Sequence, residues 1–565
     1  VESNLSQPAT TAAARTGLRL AHLWLLVPLA LIFVLAARDV IETFDFWWNA
    51  KSGEWMVQQG QILLKDILVY SPARAGTYYN PQWLAQVILY LLYAAGPATL
   101  LLFRALLFSF VIGLAIWHSL RRSNSYRIAS LIGVLTIFTG FTNMGIRPQM
   151  LVFPLFISYY FILFASPYRG SIASSGQPSG DSLLAERGSV FGIASGPLHP
   201  RLGWKVFLLP PLMVLWVNMH GSYFLGLILI GIYVVATLID HLRQPGERAW
   251  LRSGESIRQA VAFALTGLAV FVNPYLFGII EYFFVATSDP TARRLNSEWQ
   301  PPTIYNGTGL LFLLNLLVFG LSLYYSRRRL NLADALLTLA FLYLSLLSLR
   351  NVVWWGLISG PIIAANLAYR SRQTAPALPT ADQQAEEAEP LAGTVERPLF
   401  NYLIAGMLLA VCLLFVPYWR VPLIADSEAG YYDASRPKAI ADYLSAEVEA
   451  GRLEGRIFNY MEWGGYLEYR LYPRKQMFID GRFEARTENV WQDYIRISAG
   501  FADWQLLLRN PDYGDIRWLV LDATYQKNLV TLLNRQGSGW RRVLTEYVAS
   551  SQQQEPLGYL YQRIR

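Results

Sequence analysis

Leu18-Arg-Leu-Ala-His-Leu-Trp-Leu-Leu-Val-Pro-Leu-Ala-Leu-Ile-Phe-Val-Leu-Ala-Ala37 runs almost directly into Asp39, Glu42 and Asp45-Phe-Trp-Trp-Asn-Ala-Lys-Ser-Gly53. The first stretch has about the twenty apolar residues that a helix needs to cross a bilayer. No small-residue cleavage site follows it, so it is expected to remain as an anchor and not to be removed as a signal peptide. Its end is unusual: three carboxylates and a pair of tryptophans stand where the chain leaves the apolar phase.

Working outward, further apolar runs lie near 98–119, 128–143, 148–165, 206–219, 222–240, 258–273, 308–325, 331–349, 352–369 and 399–417. With the first, they imply about eleven transmembrane helices. Trp83 to Ala95 is also apolar but short, between Pro81 and the Gly96-Pro97 break. Trp83, Leu84, Val87, Ile88, Leu91 and Leu92 fall on one helical stripe, which suits a helix lying in the interface. If that segment does not span, Arg121, Arg122 and Arg127, then Arg169, Arg187, Arg201 and Lys205, then Arg243, Arg248, Arg252 and Arg258, then Arg327 to Arg329, then Arg370 and Arg372 all fall on one side. The positive-inside rule makes that side cytosolic. The expected layout in an inner (plasma) membrane is therefore a cytosolic N-terminal tail at 1–17 and a multi-pass domain at 18–417. A first external loop at 38–97 and a C-terminal domain at 418–565 lie on the extracytoplasmic side. Two linkers, 167–204 and 373–398, are rich in small and polar residues and read as disordered and cytosolic.

Composition agrees. Of 565 residues, 54% are hydrophobic and 15% charged, against about 25% charged in soluble domains. The deficit is confined to residues before about 417. The net charge of +8 is the basic bias of cytosolic loops, and no Lys/Arg run is interleaved with aromatics, so a nucleic-acid partner is not expected. Cys412 is the single cysteine and lies within an apolar run, which excludes an internal disulfide or a cysteine-based metal site. No His/Asp/Glu group has metal-ligand spacing. No cofactor is implied, and a divalent cation is left open.

After 418 the patterning changes to that of a small α/β domain. A helix is expected over Arg436 to Glu449, buried strands over 456–460, 476–480 and 516–522, helices near 487–499 and 525–535, and a closing strand pair over 540–548 and 558–564. Strands separated by helices imply a small, partly parallel sheet.

The polar residues worth weighing collect at the external helix ends: Asp39, Glu42 and Asp45; Asn143 and Arg147; Asn218 and His220; Asn273 and Tyr275; Glu298 and Trp299; Arg350 and Asn351. External arginines oppose the positive-inside bias, and charge near the bilayer is costly. A lipid-linked phosphosugar would explain them. Arginines stabilise the charge that grows on a departing phosphate, and Asp45 would take or orient the acceptor's proton. Plainer readings stand beside this one. Trp47 and Trp48 suit an aromatic belt. Arg147 and Arg350 could snorkel. His220 suits a tight hairpin, and Asn273-Pro274 a helix stop. Arg293 and Arg294 suit a solvated loop.

The order of parts resembles the C-type (GT-C) integral-membrane glycosyltransferases, whose first external loop carries a catalytic acid and whose donor is a polyprenyl-phosphate or -diphosphate sugar. More narrowly the chain is similar to a group of bacterial glycosyltransferase-like membrane proteins. The likeness rests on Asp45 to Gly53, Asp66-Ile-Leu-Val-Tyr-Ser71, Gln82-Trp-Leu84, Arg147-Pro-Gln149, Trp216-Val-Asn-Met-His-Gly221, Asn273-Pro-Tyr275, Glu298-Trp299, Arg350-Asn351, Phe458 to Tyr466 and Phe478-Ile-Asp-Gly-Arg482. It implies a catalytic Asp45, donor-phosphate binding by Arg147, His220 and Arg350, and a substrate pocket with Asn218, Asn273, Tyr275, Glu298, Trp299 and Asn351. Asp480 and Arg482 are tail-domain candidates. Implied partners are membrane lipid, the polyprenyl-linked sugar donor and other membrane subunits. Asn49 departs from the group where a His is expected, and Gln86 where an acid is common. These departures motivate an alternative, a non-catalytic scaffold or lipid-binding subunit. A transporter is disfavoured because few ionisable residues sit within the spans, Arg104 being the main exception.

Overall fold

The computed structural model describes residues 18–42, 44–74, 78–140, 143–165, 202–242, 253–288, 290–328, 330–374, 398–424, 427–548 and 555–564. The N-terminal tail and almost all of both linkers fall outside the described residues.

Each apolar run carries a helix. In chain order the helices used below are α1 (Leu20–Arg38), α2 (Asp45–Gln59), α3 (Trp83–Ala94), α4 (Pro97–Ser123), α5 (Tyr126–Gly140), α6 (Phe153–Phe164), α7 (Leu209–Met219), α8 (Phe224–Leu242), α9 (Gly254–Ala269), α10 (Gly278–Ser288), α11 (Gly307–Ser326), α12 (Leu332–Leu347), α13 (Val352–Thr374) and α14 (Pro398–Leu414). Among the described residues five segments are long and apolar enough to cross a membrane alone: Leu20–Arg38, Pro97–Ser123, Gly221–Leu242, Gly307–Ser326 and Leu349–Ser371. Pro398–Leu414 with Pro417–Leu423, bent by 67°, makes a sixth. Five or six of the eleven expected runs are thus long enough to span alone, while runs such as Tyr126–Gly140 and Gly203–Met219 form apolar helices of at most 17 residues, about 25 Å at 1.5 Å per residue. The chain is a multi-pass helical membrane protein with a small sheet near its C-terminus.

Two buried polar clusters mark opposite ends of the bundle. At one end Arg104, fully buried in α4, donates to the carbonyls of Ala36 (3.0 Å), Val40 (3.3 Å) and Asp39 (2.6 Å) and to the Asp39 carboxylate (3.2 Å). It satisfies the carbonyls left open where α1 stops. At the other end Asp334 accepts from both terminal nitrogens of Arg122 (2.9 and 2.6 Å), and Arg328 joins Asp334 to Asn366 at 3.3 and 3.1 Å.

The tail contains α15 (Lys438–Glu449), β1 (Arg456–Asn459), α16 (Met461–Leu471), α17 (Glu488–Ala499), β2 (Ile516–Asp522), α18 (Lys527–Leu533), β3 (Trp540–Tyr547) and β4 (Pro556–Arg563). The sheet order is β1-β2-β4-β3, with β1 and β2 parallel and the other pairs antiparallel. Side chains alternate between two cores as the pleat requires. Ile457, Trp518, Val520 and Leu560 join a core continuous with the membrane helices. Phe458, Leu519, Leu521 and Tyr561 face a second core under α17 and α18.

Segment 476–480 is not a strand of this sheet. It runs extended beside the first loop, where Tyr70 N donates to Met477 O (2.9 Å) and Met477 N to Leu68 O (3.0 Å). Further bridges pair Ile41 with Tyr432 and Ala73 with Arg486. Side chains close the seam. Asp66 accepts from Arg482 at 3.1 Å and from Arg486, and Arg482 also binds Asp480 (Nε at 2.7 Å) and Tyr78 (3.0 Å). Trp47 and Trp48 are not belt anchors. Both are buried in this seam, Trp47 stacked on Tyr432 and edge-on to Tyr93 and Tyr466.

Glu468 of α16 is fully buried beside this network, and no N–H or O–H reaches either of its oxygens. Burial first, then the Asp480 charge, pushes its carboxyl well above the usual range. A carboxyl that keeps its proton can donate it to Asp480, which stands beside it.

Two outcomes follow from the seam. Asp66→Asn leaves buried guanidinium charge uncompensated and should cost about 3–5 kcal/mol, read as a lowered unfolding midpoint and earlier proteolytic release of the tail. Glu468 has a folded pKa above its unfolded value of about 4.3, so its contribution to stability declines as pH rises from that value through the folded one. Glu468→Gln should therefore gain stability over wild type on going from pH 5 to pH 8, measured as the difference in unfolding midpoint at each pH.

Candidate active site

A cavity of about 360 Å³ opens where the first loop, the bundle end and the tail meet. The first loop contributes Glu42, Phe44, Asp45 and Trp48, the bundle Gly145, Ile146 and Arg147, and the 295–298 loop Leu295 to Glu298. The tail closes it with Met461, Glu462, Gly465, Gly481 and Phe483.

Asp45 is the first residue of α2, where the positive helix end favours a carboxylate. Its Oδ1 accepts from Trp48 Nε1 (3.4 Å), and its carbonyl from Asn49 Nδ2 (2.7 Å). Burial raises its pKa. Arg147 opposes that rise, and the nearby charge of Glu298 adds to it. A carboxyl raised in this way is a better base near neutral pH than an exposed aspartate.

Glycines let the walls approach. A Cβ on Gly465 would stand 3.1 Å from Trp48 N, seating α16 directly on α2, and one on Gly464 would strike the Ile479 carbonyl at 2.2 Å on the opposite side. A Cβ on Gly481 would be 3.1 Å from Asp45 Oδ1, and one on Gly145 would be 2.7 Å from the Glu42 carboxylate.

Arg147 faces Asp45 from the α5–α6 connection. Its Nη1 donates to both oxygens of Glu298 (2.7 and 2.9 Å) and its Nη2 to Asn143 (3.4 Å). Burial would raise Glu298, but Arg147 and then Arg350 hold it below the usual carboxylate range. Glu42 is raised by burial, and Glu462 by burial and the neighbouring acids Asp522 and Asp45.

Of the residues singled out in the sequence, Asp45, Arg147 and Glu298 line the cavity. Arg350 stands behind it, its guanidinium 4.8 Å from the Trp299 ring centre. His220 is also outside the lining. Its Nδ1 accepts from Ser222 N (3.1 Å), so the ring proton sits on Nε2. Burial, Arg350 and Arg147 press its pKa down to about 3, so it is neutral. Asn218 spends its amide on Trp83 Nε1 (2.8 Å) and the Val214 and Val272 carbonyls. Asn273 folds its own turn by accepting from Tyr275 N (2.8 Å), the Tyr275 hydroxyl accepts from Asn80 N (2.7 Å), and Asn351 donates to Leu344 O (3.0 Å). These residues build the corner that carries the site. Asp480 and Arg482 sit in the seam and hold Gly481 against Asp45 from behind.

Glu462 and the glycine contacts were not singled out by the sequence, whereas Glu42 stood out with Asp39 and Asp45 as charge at the end of the first span and lines the cavity. Glu462 lies inside the motif Phe458 to Tyr466, but nothing in its spacing indicates that it meets Asp45. The two departures prove to be partners: Gln86 Nε2 donates to Asn49 Oδ1 at 3.1 Å, and Asn80 Nδ2 to Gln86 Oε1 at 2.8 Å. Both are fully buried between α2 and α3 and outside the cavity lining. Among the described residues no group of three or more His, Cys, Asp or Glu is placed to hold a metal ion.

Neither sequence-family models nor curated protein sequences give a match. Solved structures do. The oligosaccharyltransferase of Archaeoglobus fulgidus in its apo form is 13% identical, with a TM-score of 0.52 over 89% of this chain and 69% of that one. AglB from the same archaeon, in complex with an inhibitory peptide and a dolichol-phosphate, gives 12% identity and 0.53 over the same shares. ArnT of Cupriavidus metallidurans overlaps more loosely, with a TM-score of 0.41 at 14% identity over 96% of this chain and 97% of that one. The chain has the GT-C fold of integral-membrane glycosyltransferases.

Proposed function

We propose that the chain is a membrane glycosyltransferase that moves a sugar from a polyprenyl-phosphate or -diphosphate donor to an acceptor on the extracytoplasmic side. The observation that carries this reading is the raised Asp45 carboxyl facing Arg147 across one cavity of the GT-C fold. The A. fulgidus enzyme of that fold was solved with a dolichol-phosphate, which favours a lipid phosphate here as well.

The reaction needs three things from the protein. The bond between the sugar's anomeric carbon and the phosphate oxygen breaks, and its electron pair leaves on the phosphate. Arg147, with Arg350 behind it, stabilises that charge. The acceptor oxygen bonds to the anomeric carbon and gives its proton to Asp45. Seam and glycine contacts exclude water from the back of the cavity, which strengthens both effects. His220, being neutral, would offer its Nε2–H as a donor and not a charge. The positive-inside count places the cavity and tail outside and the Arg122–Asp334–Arg328 end in the cytosol.

Asp45→Asn should lower transfer by at least about 100-fold while the protein keeps its unfolding midpoint. In wild type the acidic limb of kcat/KM should lie above the ordinary aspartate range, because Asp45 must lose its proton to act and its pKa is raised. Full activity in Asp45→Asn would remove it from the mechanism. In a Cys412→Ser background, a cysteine at Asn124 should react with a membrane-impermeant maleimide only after permeabilisation, while one at Asn528 should react without it. Labelling of both from one side would overturn the orientation and the external acceptor.

A further inference from the structure

Glu298 is pinned through its backbone to neighbouring loops and through its side chain to Arg147. Asn296 Oδ1 accepts from its N–H (2.9 Å), its carbonyl accepts from Ser348 Oγ (2.8 Å), and two residues on Gln300 O accepts from Leu349 N (2.8 Å). Its side chain, 35% exposed, turns into the cavity, where among the described residues it is hydrogen-bonded by Arg147. Arg350 stands close enough to act on the same carboxylate, so one negative charge is shared between two guanidiniums. This is the charge count of a phosphodiester. It also occupies Nη1 of Arg147, the cavity-facing nitrogen that both carboxylate oxygens share, while Nη2 bonds to Asn143.

We propose that Glu298 occupies, in the empty site, the position that the donor's phosphate takes on binding, so that the donor enters by exchanging one anion for another on Arg147. This rests on the reading of the cavity as a donor site and adds how that site admits its ligand. A half-buried guanidinium without an anion is costly, and the carboxylate removes that cost while the site waits. The same contact selects the substrate class. A neutral lipid has nothing with which to displace Glu298, whereas a phosphate monoester, diester or diphosphate can replace the carboxylate charge for charge and use Arg350 as well. Because the 296–300 backbone is pinned to the α12–α13 corner, the exchange needs only a rotation of the Glu298 side chain.

The test is calorimetric titration of the full-length protein in detergent with a polyprenyl monophosphate. Glu298→Gln, which removes the competing charge and keeps the shape, should bind about tenfold more tightly than wild type. Glu298→Asp, whose carboxylate is drawn back by one methylene, should also bind more tightly. Arg147→Gln should abolish the gain when combined with Glu298→Gln. Binding by both Glu298 variants that is equal to or weaker than wild type would overturn the proposal and leave the donor reading standing, with Glu298 then a ligand contact. An absence of binding by every form, with unfolding midpoints intact, would overturn both.

Discussion

Asp66 lies in the first loop, yet the two guanidiniums that hold it, Arg482 and Arg486, are more than 400 residues away in the chain. Burying such charges is tolerable only if they balance. The balance here includes Glu468. With that residue protonated, two carboxylates, Asp66 and Asp480, face two guanidiniums, and the seam is neutral overall. A neutral seam can be dry, and a dry seam lets the tail contribute one wall of the cavity. Backbone bridges at Ile41, Val69 and Ala73 fix its register, and the glycine pair at 464–465 lets α16 sit directly on α2.

The cavity inherits its chemistry from that arrangement. The first turns of α2 and α16 both face it, each bringing a positive helix end and an acid, Asp45 or Glu462. Burial pushes both acids toward their neutral forms. On the bundle side Arg147 and Glu298 are paired and Glu298 stays ionised. One wall therefore carries groups able to exchange protons, and the other a salt bridge whose partners can be swapped. Neither wall is complete without the other unit of the chain.

Much of the fold was legible because periodicity reports burial directly. Every apolar run became a helix, and β1, β2 and the closing hairpin fell close to their expected places. Segment 476–480 was misread because a short buried apolar run looks alike whether it pairs within a sheet or against a distant loop. Five or six of the eleven expected spans are long enough alone, and the shorter runs share their apolarity between lipid and neighbouring helices. Asp45, Arg147 and Glu298 stood out because charge at a helix end near the bilayer needs a reason. Glu468, Arg486 and the glycine contacts did not, since their meaning depends on partners hundreds of residues away. Trp47 and Trp48 had the composition of an interfacial belt, but the tail covers them.

The amide pair between α2 and α3 constrains how this site can diverge. Asn49 and Gln86 satisfy each other in a space closed to water, with Gly53 pressed against the Gln86 carbonyl so that neither helix can shift to absorb a change. A histidine at 49 alone would have to bond to an amide, and an acid at 86 alone would be an unneutralised ion in the core. The two positions are therefore coupled, each satisfied by what the other presents. A change at either position therefore has to be matched at the other for the contact between α2 and α3 to keep its hydrogen bonds.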